Sequence, residues 1–506
     1  MHAGLSPKLP NDLDACHELI QSLSNDVQEL SARIDYLTRR LFGPRSERFD
    51  PNQLHLFQSA GPAPAEAPPE EEQAPAKLKR KGHGRKPLPE DLPRKRVEHD
   101  VAPEDKVCPG CGADKVRIGE EVSEQLDYIP ASLHVVEHVC LKYACKHCQE
   151  HVVQGSKPAQ PIEKGLAAAG LLSHVITSKY CDHLPLHRQE AIFARQGVAL
   201  SRKTLCGWVL QSAAVLRPVV DAMRERVLAS CVIHTDDTPV QVQVPGKKRK
   251  THRAFLWVYL GDEAHPYTIC DFTWTRSREG PEAFLRYKDE ERCYRGYLQA
   301  DAYGGYDRLY LDREIVEVGC MAHCRRKFHD ARTSNPVPAH EAMRRIKALY
   351  EIEAEAKEAG DDAEARQARR EAEARPLLED FEEWLRETYS AVLPKSPAGK
   401  ACAYALNHWT ALNRYLDDGR LAIDNNAAER AIRPMVVGRN NWLFAGSRRG
   451  GHAAATLYSL IQSAKRHRLD PFAYLRDLLE RIPTHPDRRI HELFPDQWKS
   501  PADKGE

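Results

Sequence analysis

Three acidic residues stand where short elements end or begin: Asp236, Asp301 and Glu429. Asp236 closes the run Cys231–Asp236, and Asp301 closes the run Tyr297–Asp301. Both runs are short, apolar and rich in β-formers, so both read as buried strands. Glu429 follows Asp424-Asn425-Asn426, a helix-start signal, and opens the pattern Ala427–Arg433. Carboxylates at two strand ends and in the first turns of a helix could converge on one point. Two such charges about 4 Å apart repel by roughly 4 kcal/mol at an effective dielectric of about 20. Divalent cations remove that repulsion, and paired ions suit in-line displacement at phosphorus. The arrangement points to metal-dependent phosphoryl chemistry on nucleic acid. Taken singly, each acid has a plainer role: a strand-end Asp caps a helix, and Glu429 can pair with Arg433 one turn on.

The text around these acids has a recognisable order. His234–Val240, Leu298–Tyr306, Cys320–Phe328 and Ile423–Pro434 occur in succession, followed by Gly438–Ser447. This set resembles the transposases of the insertion-sequence-66 family, DDE transposases with an RNase H-like catalytic domain, from the first helix to the C-terminal end. The resemblance implies that Asp236, Asp301 and Glu429 are catalytic and hold two Mg²⁺ or Mn²⁺ ions. It implies a bacterial cytoplasmic protein, associated with the nucleoid, that acts on element terminal repeats and target DNA, with small accessory proteins as further partners. One departure stands beside the first acid, where family members usually carry Glu and this chain has Asp237. The preceding His and following Thr-Pro favour Asp236 as the ligand, with Asp237 as its rival.

The elements that must position this chemistry give a multidomain α+β reading. At 506 residues, the chain has room for several domains and a substantial core. Its net charge of +1 argues neither for nor against nucleic acid, but the total hides local blocks. Residues 61–76 carry four Glu and no base, whereas Lys77–Arg96 carries nine Lys/Arg against Glu90 and Asp91. No apolar run is long enough to span a bilayer, and Met1–Asp14 lacks a signal-peptide core, so no membrane partner is expected. Fourteen cysteines, four of them in two CxxC pairs, suit a reducing compartment and a metal site better than disulfides. The other ten read as small core residues.

Residues 11–42 form a heptad seam, with Leu13, Ile20, Val27, Ile34 and Leu41 at one position and Cys16, Leu23, Leu30 and Leu37 at the other. This pattern favours a parallel coiled coil, hence a homodimer or higher oligomer. An amphipathic helix packed on its own domain is the alternative. Residues 59–96 read as a disordered linker and a basic segment, in which Arg85 and Lys86 could lie in a minor groove. Residues 97–155 read as a zinc-ribbon-like module holding one structural Zn²⁺ through Cys108, Cys111, Cys145 and Cys148. Its expected strands, 121–130 and 134–143, pair with each other.

Residues 165–215 read as a helix-turn-helix region. One helix spans 184–195 and a second, capped by Ser201, spans 202–210, with Arg202 and Lys203 where a recognition helix meets the groove. A helix pair serving only as a packing unit is the plainer alternative. The catalytic domain is placed at 227–450, with strands 231–236, 253–260, 266–273, 297–301 and 315–318 and a helical insertion at 338–420. A C-terminal helical region follows at 451–506.

His323, Arg325, Arg326 and Lys327 begin a helix after strand 315–318 and could hold phosphates. Arg430, Arg433 and Arg439, with Arg448 and Arg449, make a second candidate DNA face. Trp442, Leu443 and Phe444 are expected in the core, with base-stacking wedges as the alternative. The reading is a DNA transposase. The alternatives are a zinc-containing dimeric DNA-binding regulator without catalysis, or a nonspecific nuclease.

Overall fold

A computed structural model of the chain describes residues 133–143 and 153–499, except 245, 247–249, 287–292 and 312–313, together with scattered positions between Cys16 and Leu30. Cys108, Cys111, Cys145, Cys148, Arg85 and Lys86 lie outside the described residues, as do the strand expected at 121–130 and the linker. The chain divides into two compact units: one comprises 1–45 and 138–506, and the other 46–137. In the second, only 133–137 are described, and they form neither helix nor strand.

The first unit opens with a short hairpin in which β1 (Lys142–Tyr143) pairs antiparallel with β2 (Val153–Gln154). The expected partner of residues 134–143 was 121–130. That partner lies outside the described residues, and of residues 134–143 only Lys142 and Tyr143 are in a strand. Leu23, Val27 and Leu30 are helical, and all three are exposed.

Three helices follow: α1 (Ala169–Tyr180), α2 (Leu186–Arg195) and α3 (Arg202–Leu228). The α2–α3 turn needs Gly197, whose φ of 83° is open to glycine at no steric cost. Ser201 caps α3 by accepting from the Thr204 amide, and Glu190 of α2 accepts from the Arg202 amide at 2.9 Å. The expectation of a short second helix fails. Beyond Leu210, the apolar residues Leu216, Val219, Val220, Met223 and Val227 keep helical spacing and are buried, so packing carries α3 on to Leu228.

A five-stranded sheet has the order β5-β4-β3-β6-β7. Its members are β3 (Val232–Gln243), β4 (Thr251–Leu260), β5 (Thr268–Thr273), β6 (Gly296–Gln299) and β7 (Ile315–Val318). The first three are antiparallel neighbours; β6 and β7 are parallel to β3 and to each other. Helix α4 (Glu279–Leu285) connects β5 to β6, and α5 (Met321–Ala331) follows β7. The insertion comprises α6 (Pro336–Ala359), α7 (Ala363–Arg369), α8 (Arg375–Ala391), α9 (Pro397–Asn407) and α10 (Trp409–Asn413). Two long helices then return to the sheet, α11 (Asn426–Trp442) and α12 (Arg448–Arg466), and α13 (Pro471–Arg481) ends the helical run.

One apolar core joins α1, α3, the sheet, α11, α12 and α13. A second lies under α5 and the insertion. On α12, Ser459 accepts from the Cys270 amide, and Ser463 accepts from the Thr268 amide and donates to its carbonyl, so the helix is laced to β5 by side chains. Of the cysteines expected in the core, Cys270, Cys320, Cys324 and Cys402 are buried, whereas Cys206 is exposed.

Candidate active site

Asp236 lies inside β3 rather than at its end. Apolar and polar residues alternate through Gln243, and the strand pairs with β4 along that whole length. Asp301 comes two residues after β6, in the turn that leads away from it. Glu429 is in the first turn of α11. The acids therefore come from one strand, from the segment just after its parallel neighbour, and from a helix packed on β3 and β4.

Asn425 fixes how that helix meets the sheet. It is buried, its side-chain amide donates to the Thr235 carbonyl at 2.8 Å, and its Oδ1 lies 3.1 Å from His234 Nδ1. Its backbone amide donates to Cys320 Sγ, while the Met321 amide donates to the Ile423 carbonyl. Gln299, the last residue of β6, donates to the Gly319 and Ala422 carbonyls. These bonds tie the strands before Asp301 and around Asp236 to the loop before Glu429. Asp424 is held separately: it accepts from the Tyr350 hydroxyl at 2.8 Å and from Asn426.

The insertion braces the same loop. Arg370 is 1 % exposed in a π-helical turn, where its guanidinium takes Glu353 in a two-pronged pair, each bond 2.7 Å. Its remaining donors reach the carbonyls of Tyr415, Asp418 and Leu421. A buried Arg is tolerable only when its donors are met in this way.

The three acids affect one another through charge. Burial pushes the Asp236 carboxyl up to about 7; the Asp237 amide opposes the rise, and the negative charges of Asp301, Asp237 and Glu429 add to it. Asp237, next in the strand, is held differently. Arg276 grips both its oxygens, with Nε at 2.9 and 3.1 Å, and the same guanidinium lies 3.8 Å from Asp301. Burial raises the Asp237 carboxyl and the Arg276 bond pulls it back. Arg276 is seated on the Tyr303 ring at 3.9 Å, and the Tyr303 hydroxyl donates to the Arg276 carbonyl. Gly305 must be glycine here, because a Cβ would come within 2.1 Å of the Tyr303 ring.

Glu429 faces α5 instead of pairing along its own helix with Arg433. Its oxygens lie 3.7 Å from His323 Nε2 and 3.6 Å from Arg326. Burial, and then the Arg326 charge, push the His323 pKa down. Glu429 Oε1 and His323 Nδ1 are both buried without a hydrogen-bond partner. Among the described residues no three His, Cys, Asp or Glu side chains are grouped as a ready metal site. The donor chemistry is of the kind a hard divalent cation takes: the Asp236 carboxyl is raised by burial and then by the charges of Asp301 and Glu429, and Glu429 has a buried oxygen without a hydrogen-bond partner.

The basic residues divide. Arg202 and Lys203 are exposed at the start of α3, and Arg430, Arg433 and Lys327 are exposed near the acids; Arg325 is half-buried on α5. Arg439 differs from its expected place on a DNA face. Its guanidinium donates to Thr238 Oγ1 and the Pro239 carbonyl, so it fastens α11 to β3. Leu443 and Phe444, expected in the core, are exposed. Sequence reasoning missed Arg276, which sits in the short link between β5 and α4 with no motif around it.

Four family models match this chain. One described as "Transposase IS66 family" spans residues 164–453, and the "zinc-finger binding domain of transposase IS66" spans 105–149. "Transposase C of IS166 homeodomain" matches 29–97, and "IS66 C-terminal element" matches 459–495. Three similar proteins come from Sinorhizobium fredii. "Uncharacterized protein y4hP" is 33% identical over 94% of this chain and 89% of its own length. "Uncharacterized protein y4jD" is 33% identical over 95% and 96%, and "Uncharacterized protein y4qI" is 34% identical over 95% and 91%.

Proposed function

Because the chain belongs to the IS66 transposase family, we propose that it binds the two ends of an insertion element, cleaves the DNA there and joins it to a target. The observation that carries this reading is that the charges of Asp301 and Glu429, from two other elements, both bear on the buried Asp236 carboxyl. The sheet, with three antiparallel strands continued by two parallel ones, supports an RNase H-like reading of this domain.

Asp236, Asp301 and Glu429 would hold two Mg²⁺ or Mn²⁺ ions, which supply charge stabilisation for the attacking and leaving oxygens. The chain's own residues do the rest. Asn425 and Gln299 hold the three carboxylates in register. Arg276 orients Asp237 and sits beside Asp301, which leaves Asp236 as the better candidate of the neighbouring pair. Arg326, Lys327, Arg430 and Arg433 offer phosphate contacts beside the acids, and Arg202 and Lys203 offer a second set at the start of α3.

A strand-transfer assay with element ends, a target plasmid and Mg²⁺ tests this. Asp236→Asn, Asp301→Asn and Glu429→Gln should each reduce cleavage and joining at least about a hundredfold, with end binding nearly unchanged, because affinity comes from basic residues elsewhere. End binding without cleavage by the unmodified protein would favour the regulator; cleavage of any duplex would favour the nuclease. Full activity in Asp236→Asn with loss in Asp237→Asn would reverse the choice between neighbours.

The 105–149 match supports a zinc module, and Cys108, Cys111, Cys145 and Cys148 are its proposed ligands. Metal analysis of chelator-free protein should find one zinc per chain, and its removal should weaken end binding. Zinc-free protein that binds ends normally would exclude this role.

A further inference from the structure

The turn after α11 sets two large apolar side chains in solvent. Leu443 is 66% exposed and Phe444 45%. Leu443 also has a φ of 63°, a backbone conformation that a leucine rarely adopts. The turn is nevertheless braced on both sides. The Leu443 amide donates to the Arg439 carbonyl at 2.7 Å. Ala445 donates to the Gln241 carbonyl and accepts from the Gln243 amide, which bonds the turn to the edge of β3. Each such side chain forgoes the burial that would stabilise it in a core. A strained, rigid turn that presents both to solvent has the form of a contact surface.

Its surroundings indicate the partner. Arg448 and Arg449 follow the turn, and Arg253 stands on β4; all three are exposed, and none makes an ion pair with a described residue. Trp274 is stacked on His252 at 3.9 Å, with Arg448 5.8 Å from the Trp274 ring. On α11 the exposed residues Arg430, Arg433, Val437 and Asn440 share one face that runs from Glu429 to the turn. Apolar side chains framed by unpaired arginines suit a polyanion with stackable faces inside it, namely duplex DNA. Along β3, Asp236 and Gln241 are five residues apart, about 17 Å in a strand, or roughly five base-pair steps.

We propose that Leu443 and Phe444 are a wedge that enters the DNA base stack a few base pairs from the bond held at the acidic site. The idea rests on the transposase reading. It adds a position at which the duplex is unstacked, with Arg448 and Arg449 holding the flanking phosphates. Insertion of apolar side chains between base steps kinks a duplex and can stabilise single-stranded character beside it.

The test uses full-length protein and element-end duplexes with 2-aminopurine placed singly at each of the first ten or so positions from the cleaved bond. Fluorescence of the metal-free complex reports unstacking, anisotropy reports binding, and Mg²⁺-dependent cleavage is read separately. The unmodified protein should raise fluorescence several-fold at one or two neighbouring positions. Leu443→Ser/Phe444→Ser should abolish that rise and weaken binding roughly tenfold, as expected for loss of a base-stacking contact. Leu443→Gly removes the side chain while relieving the backbone, so it should lose most of the signal without lowering the melting temperature. Arg448→Ala/Arg449→Ala should weaken binding alike at every probe position. Cleavage by unmodified protein with no responsive position overturns the wedge and leaves the transposase reading intact. A duplex neither bound nor cleaved overturns both. A serine variant that keeps the fluorescence signal but loses self-association would make this turn a contact between copies of the chain.

Discussion

At the residue scale, neighbouring acids in one strand have opposite fates. Asp237 is gripped by Arg276, whereas Asp236 has no cationic partner of this kind among the described residues, and burial and neighbouring negative charge raise it against the bond from the Asp237 amide. That contrast separates a residue held by the fold from one available to a ligand. Lys179 makes a second residue-scale point. Its ammonium lies 5.1 Å from the Tyr180 ring and 5.3 Å from the Trp442 ring, with Cys206 as the titratable group nearest in effect. Burial pulls its pKa down from 10.5 to about 8. The unfolded chain therefore binds more protons than the folded one between about 8 and 10.5, so this lysine costs stability below about 8 and stops doing so as pH rises through that window. Lys179→Met should melt higher than the unmodified protein near pH 7, with the difference narrowing by about pH 10. A melting difference that stays constant over that range would show that the ammonium does not titrate in this window.

At the element scale, the insertion acts as a brace for the third acid. Arg370 and Glu353 lock α6 to the π-helical turn, and Arg370 also holds the carbonyls of the loop that feeds α11. Removing one partner of a buried pair leaves the other charge uncompensated, which typically costs about 3–5 kcal/mol. Arg370→Met should therefore destabilise the protein by that order in urea denaturation. Glu353→Gln/Arg370→Met should recover part of the loss, since no lone charge remains. If Arg370→Met unfolds at the same urea concentration as the unmodified chain, the brace is not energetically significant. Helix α3 teaches a related lesson: its first turn is exposed and basic, while its second half is buried against the core that also includes the sheet. A DNA contact at Arg202 would therefore be transmitted through one rigid rod rather than a linker.

At the scale of the whole molecule, the proposed function requires two element ends to be brought together. Leu23, Val27 and Leu30 are helical and exposed in the single chain, at positions a heptad seam would bury. We expect residues 13–41 to pair in parallel with those of a second chain, and so to bring two DNA-binding modules together. Leu30→Lys/Ile34→Lys places charges in that seam and should convert a dimer to a monomer in sedimentation, with paired-end joining lost and single-end cleavage retained. A variant that stays dimeric through this segment and joins paired ends normally would return the helix to a packing role.

Much of this protein was legible in its sequence. The alternation that makes strands, the Asp-Asn-Asn start of α11, the Ser201 cap and the glycine-containing Gln196–Leu200 turn between α2 and α3 are local features, governed by backbone sterics and by hydrogen bonds a few residues apart. Strand β7 and the bounds of α2 follow closely from that kind of signal. The failures share a different cause. The continuation of α3 to Leu228 and the place of Asp236 within a longer strand depend on which distant surface covers a residue. Arg276 on Asp237, Arg439 on Thr238, and Arg326 on Glu429 are pairings between separate elements, so spacing along the chain carries no trace of them. Leu443 and Phe444 show the same limit from the other side. Their composition reads as core, and only the path of the chain past the end of α11 puts them in solvent. Composition determines which residues can be buried or charged; the closing of sheet, insertion and helix decides which of them meet.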